Sequence, residues 1–209
     1  WEGEELMLDQ LDPLLQDPER NKRERAWRLA MTRRLRDRHT INDLWVKSLE
    51  LRGKIAANAG KSDFRSYIWQ KRLRFDYTKD DCETFHDAIE KVVVPAVECL
   101  NERRRRSLGL STLCPWDLDV DTLERPPLRP FTHTEDLEYK GAEIFHQVDR
   151  ELGAQFDILR SEKLLDLDNR KGKAPGGYCY PLLFMRRPFI FMNSVGIHDN
   201  VQTLLHEAG

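Results

Sequence analysis

Long apolar runs are missing from this chain. Nothing approaches the about 18 residues that a membrane-spanning helix requires, so no membrane partner is expected. Charge of one sign is missing too. Lys and Arg total 34 against 36 Asp and Glu, a formal net charge of −2. That balance gives no overall pull toward nucleic acid or anionic lipid. Cysteine is sparse: Cys82, Cys99, Cys114 and Cys179, with no C-x-x-C pair, which argues against a cysteine zinc knuckle. Cys82 and Cys99 fall on an apolar helical face, where a free thiol acts as a small hydrophobe. All four read as reduced structural thiols, and the expected compartment is cytoplasmic. The start, Trp1-Glu2-Gly3-Glu4-Glu5, shows no basic stretch followed by an apolar one, so no signal peptide is visible. Both ends read as cuts inside a longer protein. Internal repeats and low-complexity linkers are absent.

What remains is a charged, helix-rich sequence. With 209 residues, 40% hydrophobic and 33% charged, the chain can bury one good core or form part of a larger one. Helical spacing runs from about 19 to 58, through Ala26, Trp27, Ala30, Met31 and Leu35, then Ile41, Leu44, Trp45, Leu51 and Ile55. Asp17-Pro18 supplies its start. Thr40-Ile41-Asn42-Asp43 either restarts a second helix or is a polar turn of one long helix. Asn58-Ala59-Gly60 is a stop. A short helix follows over 63–74. The stripe Cys82, Phe85, Ile89, Val92, Ala96 and Cys99 marks the next helix, which Pro95 is expected to kink. It ends in Arg103-Arg104-Arg105-Arg106, where cations suit the negative end of a helix dipole. Pro115, Pro126, Pro127 and Pro130 mark 111–131 as an extended connector. A helix capped by Thr132 or Thr134 comes next, with Leu137, Ile144, Phe145, Val148 and Leu152 as its buried face. After about residue 160, Leu164-Leu165-Asp166-Leu167 and Phe189-Ile190-Phe191-Met192-Asn193 predict a small sheet. Asp199, with Gln202 three residues on, is expected to cap the last helix. The reading is mainly α, with a small sheet just before that helix.

The chemistry sits in that last helix, which ends Leu204-Leu205-His206-Glu207-Ala208-Gly209. In His-Glu-x-x-His, two imidazoles four residues apart share one helix face and can reach one zinc ion, and the glutamate can deprotonate a water. The chain holds the first half of that device. A His-Glu pair alone is commonly surface decoration. The β-prone run Phe189–Asn193 adds weight, because an exposed strand edge beside a metal can pair with an extended peptide through main-chain hydrogen bonds. The same alternation also fits an ordinary core strand.

Three segments together are more specific: Asp168-Asn169-Arg170-Lys171-Gly172-Lys173-Ala174-Pro175-Gly176-Gly177-Tyr178-Cys179, then Pro188–Asn193, then Asp199–Gly209. In this order and spacing they resemble the oligoendopeptidase F branch of the thimet-oligopeptidase-like zinc peptidases. The resemblance implies a zincin-like, mainly helical fold and hydrolysis of internal bonds in short oligopeptides. It implies one Zn2+ per complete protein, with His206 as first ligand and Glu207 as general base. Phe189, Ile190, Phe191, Met192 and Asn193, with Gly176, Gly177 and Tyr178, would border the bound peptide. The remaining ligands would lie past Gly209, so this piece alone is expected to be inactive. Residues 1–125 would form a helical channel wall and 126–209 the first part of the catalytic domain.

Other signals read as structural. Lys171–Gly177 lacks the Gly-Lys-Ser/Thr ending of a phosphate loop. The region 20–38 holds nine basic residues and two acids, yet its cations surround the helix, so a solvated or internally paired face is expected rather than a nucleic-acid patch. His39, His86, His133 and His146 have no partner at metal spacing, and His198 reads as a loop residue beside the cap. Two alternatives stand beside the endopeptidase: another helical zinc peptidase such as a carboxypeptidase, or a non-enzymatic helical module binding acidic partners or RNA.

Overall fold

The computed structural model describes residues 1–209. In chain order its elements are α1 (Asp12–Leu15), α2 (Arg20–Arg36), α3 (Arg38–Asn58), α4 (Phe64–Lys71), α5 (Lys79–Ala88), α6 (Val94–Ser107), α7 (Thr134–Val148), α8 (Arg150–Ser161), β1 (Leu165–Asp168), β2 (Tyr178–Leu182), β3 (Arg187–Ser194) and α9 (His198–Ala208). The expected mainly α chain with a small sheet before the last helix is what forms. No helix is long and apolar enough to cross a membrane. The chain divides into two compact units, Trp1–Ala30 with Cys114–Gly209, and Met31–Leu113. Residues 1–30 and 114–125 therefore group with the C-terminal part, whereas the sequence suggested a boundary near 125.

In the first unit the sheet has the order β1-β3-β2, with β1 parallel and β2 antiparallel to β3. Side chains on β3 alternate as a strand must. Ile190, Met192 and Ser194 are buried, while Phe189, Phe191 and Asn193 are only partly so. Ile190 and Met192 join Phe131, Leu137, Phe145, Phe156, Leu159, Leu164, Leu167 and Leu204 in one core between sheet and helices. Phe145 and Phe156 lock α7 to α8 with ring centroids 5.0 Å apart. Asp149 separates these two helices by capping α8, its carboxylate accepting from the N–H groups of Glu151 and Leu152. The expected single apolar face through Val148 and Leu152 is thus interrupted, and Val148 is 72% exposed. The start of α7 also differs. Neither Thr132 nor Thr134 is its cap; His133 is, and the Thr134 hydroxyl instead donates to Asp168 at the end of β1.

The N-terminal segment is tied to this unit by a buried ion cluster. Asp117 is fully buried and accepts a two-pronged bond from Arg20 at 2.9 and 2.8 Å, a bond from Arg23 at 2.9 Å and one from the Cys114 N–H. Arg23, itself buried, also donates to the carbonyls of Trp116, Asp17 and Pro18. Burial alone would push the Asp117 carboxyl up. The bonds from Arg20, Cys114 and Arg23 outweigh it and hold the group below the usual carboxylate range. The basic stretch is internally paired as expected: Lys22, Arg25, Arg28 and Arg33 each reach a carboxylate of their own.

In the second unit the helix over 19–58 breaks at Asp37, earlier than the Thr40 restart considered above. Asp63 caps α4 and Thr78 with Asp81 forms a reciprocal cap on α5. The expected kink at Pro95 takes the form of a π turn over Ile89–Val93 between α5 and α6, a widened turn that accommodates the missing proline N–H. At the basic end of α6, Arg105 and Arg106 both bond Glu102 and hold its carboxyl down at about 2. The apolar stripes of α3 and α5–α6 are not buried within this chain: Ile41, Leu44, Trp45, Phe85 and Val92 are all exposed.

Replacing Asp117 with Ala leaves two arginines without their buried counter-charge. The variant should lose about 3–5 kcal/mol in urea unfolding. Because the folded pKa is depressed, the carboxylate's contribution is complete above about pH 4, the range of unfolded carboxylates, and is lost as pH falls through the folded value. The stability gap between parent and variant should therefore shrink on acidification below about pH 4.

Candidate active site

The site is built on the turn from β3 into α9. Gly196, at φ 84°, makes that turn, and a Cβ there would meet the Phe131 carbonyl at 3.2 Å. Asp199 does not cap the helix. Ile197 occupies the cap position, and the Asn200 side chain satisfies the turn by accepting from the N–H of Val195 at 2.8 Å and of Ile197 at 3.3 Å. The helix consequently starts two residues earlier than expected.

Helical spacing then determines where each side chain points. Leu204 is completely buried in the core. It lies on Gly141 of α7, where a Cβ would stand 3.0 Å from its Cδ2. With 100° per residue, His206 turns away from that core and is exposed, while Glu207 returns to the flank and is half-buried. That flank faces β2. Burial raises the Cys179 thiol pKa, and the nearby Glu207 carboxylate raises it further. Glu207 and the middle of β2 are thus neighbours.

The structure changes the role of the run Phe189–Asn193. It is the middle strand, paired on both sides, so it has no free edge to offer. Ile190 and Met192 fill the core, Phe191 stacks on Tyr178 at 4.8 Å, and the Asn193 amide donates to the carbonyls of Ala174 and Gly176. The outer strands are β1 and β2, and of these β2 lies beside the helix that carries His206 and Glu207. The loop into β2 is pinned firmly. Gly176 has φ 99°, and Gly177 packs under α9, with Thr203 Cγ2 3.3 Å from where a Cβ would be. Lys173, its side chain 1% exposed, donates to the carbonyls of Asp166 and Asp168 and to the Asp166 carboxylate. Its ammonium stands 4.4 Å from the Phe191 ring centroid, so charge and ring close the loop over the sheet. Sequence reasoning assigned no role to Lys173, Gly141 or Pro181. None of the three carried a usable signal in the sequence, since a proline stands in the middle strand as well, at Pro188.

The other histidines remain outside the site. His146 pairs with Asp157 at 2.7 Å and leans on Gly153, and His198 is exposed at the first turn of α9. No three His, Cys, Asp or Glu side chains are grouped to hold a metal. His206, exposed near the end of α9, suits one corner of a metal site; the i+4 partner position would be residue 210. The residues of this chain supply one ligand and one base, not a full coordination set.

The chain belongs to Peptidase family M3, a family of metallopeptidases, whose model matches residues 13–209. Solved structures agree. A structure of PZ peptidase A with an inhibitor superposes with a TM-score of 0.93 at 29% identity, over 100% of this chain and 37% of that one. An oligoendopeptidase F from Bacillus anthracis gives 0.90 at 27% identity over 99% and 38%. A further oligoendopeptidase F gives 0.92 at 28% over 100% and 37%. The chain therefore spans well under half the length of these proteins. No curated protein matches the sequence.

Gly141→Ala tests how α9 is seated. Alanine favours a helix by about 1 kcal/mol over glycine, but here its methyl would stand 3.0 Å from Cδ2 of the fully buried Leu204. Overpacking should win, with a net loss of about 1–2 kcal/mol in thermal or urea unfolding. Adding Leu204→Val should recover part of that loss.

Proposed function

We propose that this chain is part of a zinc-dependent endopeptidase that cleaves internal bonds of short oligopeptides. The observation that carries this reading is the open edge of β2 lying beside the α9 flank that presents Glu207, with His206 one residue earlier. An extended peptide can add to that edge as a further strand, which places its backbone over the helix without demanding particular side chains. The family and the oligoendopeptidase F neighbours support the same assignment.

His206 would be one zinc ligand, and the others would come from outside this chain. Zinc, when bound, supplies Lewis acidity, which acidifies water and polarises a carbonyl. Glu207 takes the proton of the attacking water and returns it to the leaving amine. Its half-buried flank position, facing the strand rather than bulk water, suits a base that must meet the scissile bond. One imidazole does not hold zinc usefully, so the 209 residues alone are expected to hydrolyse no peptide. The carboxypeptidase alternative is separated by end-blocked peptides, which only an endopeptidase cleaves.

In the full-length protein, Glu207→Gln should keep one zinc per molecule by elemental analysis and lose about 10² to 10⁴ in rate on a quenched fluorescent peptide. Full activity in that variant would remove Glu207 from the base role. A metal-replete full-length protein without bound zinc would remove the zinc reading itself.

A further inference from the structure

The main chain of β2 carries a polarity that the family assignment does not supply. Pro181 lies opposite Pro188 in the antiparallel ladder. Neither has an N–H, so the two cannot exchange hydrogen bonds, and theirs is a non-hydrogen-bonded pair. Such pairs alternate along a ladder, which makes Cys179–Ile190 the same type. An independent contact agrees: the Ile190 N–H points the other way and donates to Leu164 O at 2.9 Å. The N–H and C=O of Cys179, and the C=O of Pro181, are therefore directed away from β3 toward the open edge. Both residues are exposed.

A peptide added to this edge consequently meets an uneven row of partners. At Cys179, beside Glu207, it finds a donor and an acceptor. Two residues on, at Pro181, it finds an acceptor only. Beyond that lies the turn Leu183-Phe184-Met185, where Phe184 is fully exposed and strand pairing has ended. A substrate carbonyl held opposite Pro181 has no donor from the strand.

We infer that Pro181 is a specificity-determining residue that ends the substrate ladder, so that productive main-chain pairing is confined to the stretch around Cys179 and peptide length beyond Pro181 adds nothing to recognition. This deepens the endopeptidase reading above and rests on it. The device is local: it limits main-chain pairing through a missing N–H on the strand, independently of how much of the cleft the rest of the protein encloses. A proline here also discourages edge-to-edge association of copies, and the two effects share one cause.

The test uses the full-length protein and a nested set of quenched fluorescent peptides, lengthened one residue at a time at each end. In the parent protein, kcat/KM should stop rising on one side once the peptide reaches Pro181. Pro181→Ala restores an N–H directed at the edge without touching a ladder bond. It should raise kcat/KM about 2- to 10-fold, the worth of one backbone hydrogen bond. The gain should appear in KM and only for peptides long enough to reach residue 181. Equal rates for all lengths in parent and variant, or a uniform gain across the series, would overturn the inference. So would a parent profile that keeps rising at both ends, a readout that does not depend on the variant folding. If the parent cleaves no member of the set, the endopeptidase reading fails instead, and the two failures are distinguishable.

Discussion

Everything at the candidate site depends on β3 being satisfied on both of its edges. A strand paired on one side only could slide or expose either face; a strand held between β1 and β2 has one register and one buried face. That face places Ile190 and Met192 in the core. It also determines the direction in which the chain leaves β3, through Gly196, to begin α9. Once α9 starts there, with Leu204 forced against Gly141, the orientation of the helix is settled. His206 then turns to solvent and Glu207 toward β2, as a consequence of 3.6 residues per turn. No contact made by His206 or Glu207 themselves is needed to aim them.

The same constraint transfers the open edge to β2. This is where sequence and structure diverge most instructively. The alternation Phe189, Ile190, Phe191, Met192 announced a strand, and it announced equally well a core strand. Periodicity reports which residues share a face, but it is silent on which strand lies outermost. Proline does not mark it either, since Pro181 lies in the outer strand β2 and Pro188 near the start of the middle strand β3. The caps show a similar pattern. Asp199 and Thr134 are good capping residues by type, yet Ile197 and His133 take the cap positions. Asn200 reaches back to the N–H groups of Val195 and Ile197 and fixes the turn from inside the helix, and Thr134 finds a carboxylate on β1 instead.

Other parts were readable because one local rule acted without competition. Gly60 ended a helix, Pro95 disturbed one, and the basic stretch over 20–38 found its carboxylates. The buried meeting of Arg20, Arg23 and Asp117 was not readable, since its members are separated by more than 90 residues. The apolar stripes of α3 and α5–α6 were legible as stripes, but spacing does not say what covers them, and within this chain nothing does.

The loop before β2 shows how a rigid edge is obtained from an irregular segment. Loops generally lie on the surface and move, because their backbone groups lack regular partners. Here Lys173 supplies donors to two β1 carbonyls, and Asn193 supplies donors to Ala174 and Gly176, so the carbonyls of a glycine-rich turn are satisfied from the sheet beneath. Burying an ammonium is costly unless it is paired and hydrogen-bonded. Asp166, the two carbonyls and the face of Phe191 together meet that condition. The cost is tolerated because the same residue joins the first strand, the middle strand and the loop that leads to the edge. An edge held at fixed height above α9 can present its main chain to an extended peptide without first ordering itself. Preorganised hydrogen-bonding groups of this kind are what a site needs when it recognises backbone rather than side chain.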